Sequence, residues 1–206
     1  SGDLAGVGEL IGMGVRLVRL MGGEGVGRSK LVRRFAWDNR PLYQGEGGTW
    51  LIDATGCADG MRLAYVVATA LDLPLVLGRT AEDSLRQVGR ALSYRGRTLV
   101  ILDGFVHDGD TVRALKGWFE QALDTRFLVV CAERLGLPGE ITYELDPLPM
   151  TEDGPAVQLL RERVEVLHGD NTLDDETLLG VVRRLRGFPL ALELVATLLH
   201  DGDAGA

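Results

Sequence analysis

The stretch Gly22-Gly23-Glu24-Gly25-Val26-Gly27-Arg28-Ser29 decides the reading of this chain. It fits the pattern G-x-x-x-x-G-K-[S/T] at every fixed position but one: arginine stands where the pattern has lysine. Before it, Val15 to Met21 alternates apolar and basic residues and reads as a strand. After it, Leu31, Val32, Phe35 and Ala36 fall at helical spacing between Arg28 and Trp37. A strand that enters a glycine turn opening a helix lets successive N–H groups converge on a phosphate, with the positive end of the helix behind them. Gly22, Gly23, Gly25, Val26, Gly27 and Arg28 are therefore candidate phosphate contacts, and the Ser29 hydroxyl suits Mg²⁺. Lys30 adds a second cation, although two residues is about 200° around a helix and turns it away from the phosphates.

Working outward, Thr49 to Ile52 is a short strand, and Met61 to Leu71 and Ala81 to Tyr94 are amphipathic helices. Thr98-Leu99-Val100-Ile101-Leu102-Asp103 is a continuous apolar strand closed by an acid, the pattern of a strand buried on both faces of a parallel sheet. Asp103, some 75 residues after the loop, is the candidate Mg²⁺ ligand and the catalytic acid of the site. A helix over Asp110 to Leu123 leads to a second buried strand, Arg126 to Cys131, and a shorter one follows at Ile141 to Leu145. Arg134, just past the second of these, is the candidate γ-phosphate sensor. Strands alternating with helices predict βαβ units and a doubly wound α/β sheet.

The pattern breaks at Asp146-Pro147-Leu148-Pro149, and everything beyond is helical. Thr151-Glu152-Asp153 reads as the N-cap and acidic first turn of a helix to His168. A second helix runs from Asp174 to Arg186, and a third from Pro189 to His200, with a frayed tail beyond. The expected division is 1–148 for a nucleotide-binding domain and 149–206 for a small all-helical one. The chain has 206 residues, 46% of them apolar and 25% charged, which is globular. The net charge of −8 argues against general nucleic-acid affinity. Residues 1–103 carry 13 basic against 11 acidic residues and residues 104–206 carry 9 against 19, which places an anion site in the first half. Cys57 and Cys131 form neither a disulfide framework nor a metal-ligand spacing, which fits a reducing cytoplasm. No apolar run is long enough to cross a membrane.

Taken in order, the glycine loop, Leu99 to Asp103, Leu135-Gly136-Leu137-Pro138-Gly139-Glu140 and above all Gly187-Phe188-Pro189-Leu190-Ala191-Leu192 resemble the signal-transduction ATPases with numerous domains (STAND), nearest the NB-ARC-type modules of large bacterial transcriptional regulators. The resemblance runs from about residue 4 to residue 200. It implies a P-loop NTPase with a parallel five-stranded sheet in the order 2-3-4-1-5 sandwiched by helices, followed by a small helical domain. It implies ADP or ATP with Mg²⁺ held between the two domains, and it carries Pro189 over as the residue that approaches the nucleotide from the helical one. Further domains (a winged helix and a repeat sensor) and a homo-oligomeric active state are implied in the same way, with no membrane or direct nucleic-acid contact.

Four positions depart from the family pattern. Arg28 replaces the loop lysine, Gly104 follows Asp103 where the family has Asp or Asn, and the sensor reads Val130-Cys131-Ala132. Near Val7-Gly8-Glu9 the family's N-terminal arginine is missing. These departures point to impaired hydrolysis in a regulatory switch module. The rival readings are a scaffold that has lost nucleotide binding and a nucleoside monophosphate kinase, the latter lacking an arginine-rich lid after the fourth strand.

Overall fold

A computed structural model describes residues 2–74, 80–169 and 173–199. It divides into two compact units, Ser1–Met21 with Arg28–Glu144, and Gly22–Gly27 with Leu145–Ala206.

In chain order the first part of the structure consists of α1 (Gly2–Gly12), β1 (Leu17–Gly22), α2 (Arg28–Tyr43), β2 (Gly48–Asp53), α3 (Gly60–Ala70), α4 (Ala81–Tyr94), β3 (Thr98–Asp103), α5 (Gly109–Gln121), β4 (Thr125–Val130) and β5 (Glu140–Leu145). The strands form one all-parallel five-stranded sheet in the order β2-β3-β4-β1-β5. The apolar runs of β3 and β4 are buried because both strands lie inside the sheet, whereas the edge strands β2 and β5 keep solvent-facing positions. Side chains from both strands and from α3, α4 and α5 pack into one core, among them Leu63, Val67, Val88, Leu92, Val100, Trp118 and Phe127. The buried Trp118 indole N–H donates to the Leu85 carbonyl at 3.0 Å, so the largest core side chain leaves no polar atom unpaired. The register sets Asp53 opposite Asp103, which brings two strand-terminal carboxylates to the same end of the sheet.

Two elements of this first part differ from the sequence expectation. Helix α1, absent from that expectation, forms despite four glycines. Val7 and Ile11, four apart, bury one face, and the Tyr143 hydroxyl donates to Asp3 at 3.1 Å, so tertiary packing overrides weak propensity. Helix α2 does not stop near Trp37 but continues through Pro41 to Tyr43. Proline there forfeits only the bond to the Trp37 carbonyl, within two residues of the helix end.

The second unit holds α6 (Pro155–His168), α7 (Asp175–Arg184) and α8 (Pro189–Ala196) around a core that includes Val157, Leu160, Leu178, Val182 and Leu192. The predicted N-cap of α6 at Thr151 is corrected: Gly154 is the cap residue and Pro155 the first helical residue. A helix capped by Thr151 would carry that proline at its fourth helical position, whereas at the first its missing N–H costs nothing. The Asp174 carboxylate caps α7 through the Thr177 N–H at 2.7 Å. The last helix is shorter than expected: it ends at Ala196 with Thr197 as its C-cap residue, and the Thr197 hydroxyl donates to the Leu194 carbonyl at 2.7 Å, while His200 and the tail beyond it lie outside the described residues. Gly187, between α7 and α8, has φ +68°, and a Cβ there would overlap the Leu148 carbonyl oxygen. The Leu148 N–H in turn donates to the Gly187 carbonyl at 2.9 Å.

Candidate functional site: the glycine loop and a charged cleft

The loop from Gly22 to Gly27 leaves β1 and enters α2, the strand–turn–helix context that the motif requires. It closes on itself through the Val26 N–H, which donates to the Gly23 carbonyl at 3.3 Å, with the Val26 side chain buried beneath. It is also braced by the residues that open α8. The Leu190 N–H, one of the donors left over at a helix start, donates to the Gly25 carbonyl at 3.1 Å. A Cβ at Gly23 would stand 2.9 Å from the Phe188 ring, and one at Gly25 would stand 3.0 Å from Leu190 Cβ. Pro189 is buried as the first residue of α8.

A separate cleft of about 530 Å³ lies in the first unit. Its lining includes Arg28, Ser29, Arg33, Asp53, Asp103 and Gly104, with Val130, Cys131 and Ala132 as a wall. Here the Ser29 hydroxyl donates to Asp103 Oδ1 at 3.1 Å. The sequence-predicted pair is thus brought together with Arg28. Lys30 and Arg134 are exposed and are not among the residues lining this cleft, whose wall at the end of β4 is uncharged. Cys131 is buried, and that burial pushes its thiol above the ordinary range, as it does for Cys57.

Asp53 and Arg33 are cleft residues that the sequence reading missed. The signal for Asp53 was present: like Asp103, it closes a run of strand residues. Its carboxylate accepts the Thr55 N–H at 2.9 Å. The Thr55 hydroxyl first, then this amide and the charge of Arg33, hold its pKa below the usual carboxylate value. A depressed carboxyl contributes stability above its unfolded pKa and loses it as pH falls through its folded pKa. Thr55→Val is therefore expected to raise the Asp53 titration midpoint toward that of an ordinary aspartate, read by carboxyl-carbon NMR. An unchanged midpoint would dismiss Thr55 as the cause.

The wall of the cleft is pinned by a buried ion pair. Arg19 on β1 stands 3.1 Å from Glu140 at the start of β5, with their side chains only 4% and 9% exposed. Arg19 donates to the Ala132 carbonyl at 2.8 Å and to the Thr142 hydroxyl at 3.1 Å. Glu140 accepts the N–H groups of Gly136 at 2.8 Å and Leu135 at 3.2 Å. The whole β4–β5 connection is thus tied to the centre of the sheet.

No family model matches the sequence. Uncharacterised proteins of Mycobacterium tuberculosis and Mycobacterium bovis are 31% identical over 185 residues, covering 88% of this chain. The chain spans 45% of the length of these curated relatives. The TMV resistance protein N of Nicotiana glutinosa is 26% identical over 198 residues, 91% of this chain and 17% of its own length. Among solved structures, the STAND protein with a tetratricopeptide repeat sensor from Pyrococcus horikoshii matches with TM-score 0.62 at 18% identity, over 93% of this chain and 29% of that one. Cdc6p from Pyrobaculum aerophilum matches with TM-score 0.70 at 15% identity, over 94% and 59%. The fold is that of the P-loop ATPases.

Proposed function

We propose that this chain is a regulatory ADP/ATP-binding switch module of the STAND and NB-ARC kind, with residues 1–148 as nucleotide-binding domain and 149–206 as its helical partner. The observation that carries the reading is the Ser29 hydroxyl bonded to Asp103 in a cleft that Arg28 also lines. Serine hydroxyl and carboxylate are hard oxygen donors and fit Mg²⁺, which keeps several waters and is held by few protein groups. When bound, Mg²⁺ neutralises phosphate oxygens. In this reading the amides of Gly22 to Gly27 hold the phosphates, Arg28 adds a fixed positive charge and Pro189 approaches the nucleotide.

The greater length of the mycobacterial relatives, and a STAND neighbour that carries a repeat sensor, support further domains in a signalling protein. None of the described helices is long and apolar enough to cross a membrane. Transcriptional output, a cytoplasmic setting and assembly in the active state belong to the same reading.

Calorimetry with ADP or ATP and Mg²⁺ tests it. Binding below millimolar is expected, and Arg28→Lys should tighten it by about threefold to tenfold, the worth of about one net hydrogen bond. Failure to bind either nucleotide at millimolar concentration would overturn the reading in favour of a scaffold. That rival has its own support, since Phe188 and Leu190 pack on the loop and the Leu190 amide bonds it.

A further inference from the structure

We infer that Asp53 supplies the carboxylate missing after Asp103 and orients the water that attacks the γ-phosphate of bound ATP. The inference rests on the nucleotide-binding reading above. Gly104 has φ +71°, and a Cβ placed on it would overlap the Thr55 hydroxyl. The space in which a side chain at 104 would begin is occupied by Thr55, and no L-residue enters it without displacing that side chain.

Thr55 is the residue that holds Asp53. Its N–H donates to the Asp53 carboxylate at 2.9 Å, which commits one oxygen and fixes the rotamer. Asp53 is the direct register partner of Asp103 on the neighbouring parallel strand. Adjacent parallel strands lie about 4.8 Å apart, so a carboxylate one strand over replaces one a residue further along. Both acids line the cleft that contains Ser29, Arg28 and Arg33, and Asp53 is exposed to its solvent. Thr55 therefore does two things at once: it excludes a side chain at 104 and presents a carboxylate from β2. The uncharged wall at Val130 to Ala132 is balanced similarly, since Arg33 from α2 brings a cation to the same cleft.

In the step this arrangement performs, the water oxygen forms a bond to the γ-phosphorus. The bond from that phosphorus to the bridging oxygen breaks, and its electron pair leaves on the β-phosphate of ADP. Asp53 accepts the water's hydrogen bond and then its proton, which passes to the released phosphate or to solvent. General-base assistance of this kind is worth about 10²–10⁴-fold.

The experiment measures single-turnover hydrolysis of ATP with Mg²⁺, alongside ADP affinity by calorimetry and thermal unfolding. The wild-type chain should hydrolyse ATP, and Asp53→Asn should slow it by about 100-fold or more. ADP affinity should change by less than threefold, and the variant should still unfold in one cooperative thermal transition. Asp53→Glu should restore part of the rate, which a merely structural role would not predict. Equal rates in wild type and Asp53→Asn, or nucleotide binding without any hydrolysis by the wild type, overturn the inference and leave the binding reading standing. Absence of nucleotide binding overturns both.

Discussion

Glu140→Leu is expected to destabilise the protein by about 3–5 kcal/mol, the cost of leaving a buried charge without its partner. Arg19 would keep its guanidinium at the centre of a parallel sheet, 3% exposed, with carbonyl and hydroxyl dipoles as its remaining acceptors. The Leu135 and Gly136 amides would lose their acceptor in the same change. Urea unfolding should register the loss as a lower midpoint with an unaltered slope. The contrasting variant is the double exchange Arg19→Met with Glu140→Leu. Removing both charges together should recover most of the stability, because well-packed apolar residues often replace a buried pair at little cost. A single variant within 1 kcal/mol of wild type would mean that water reaches the pair and that the β4–β5 connection is held by other contacts. The functional corollary is local: Ala132, whose carbonyl Arg19 holds, is part of the cleft wall.

Gly187→Ala is expected to cost about 3 kcal/mol. About 1–2 kcal/mol comes from forcing a Cβ into a left-handed backbone conformation, and the remainder from overlap with the Leu148 carbonyl oxygen. That oxygen belongs to backbone, and the Leu148 N–H is itself bonded to Gly187, so neither side yields cheaply. Amide exchange in α7 and α8 should accelerate together with a fall in the urea midpoint. A loss below 1 kcal/mol would show that the turn relaxes and that the glycine of the Gly187 to Leu192 segment is not required by the backbone.

Sequence alone located β3 and α4 at their observed ends, for identifiable reasons. Leu99 to Leu102 is buried on both faces and so reads as an uninterrupted apolar run. Thr80 caps α4 through the Asp83 N–H, and Leu85, Val88 and Leu92 repeat at helical spacing behind it. The sheet order follows from the family resemblance, and Ser29 and Asp103, each singled out by its own motif, are brought within hydrogen-bond distance. What was illegible depends on contacts distant in sequence. Helix α1 is stabilised through its burial and Tyr143, 140 residues from Asp3. Asp53 enters the cleft only through the register of β2 on β3. The start of α6 was legible in Pro155 and was obscured by the attractive acids ahead of it.

The bond from the Leu190 amide to the Gly25 carbonyl has an evolutionary consequence. A peptide group recruited as a structural joint is maintained by selection on folding, whatever becomes of the ligand. Descendants that shed the loop's basic residue altogether can keep small residues at 23 and 25 together with bulky ones at 188 and 190, so that the glycine spacing persists on packing grounds alone.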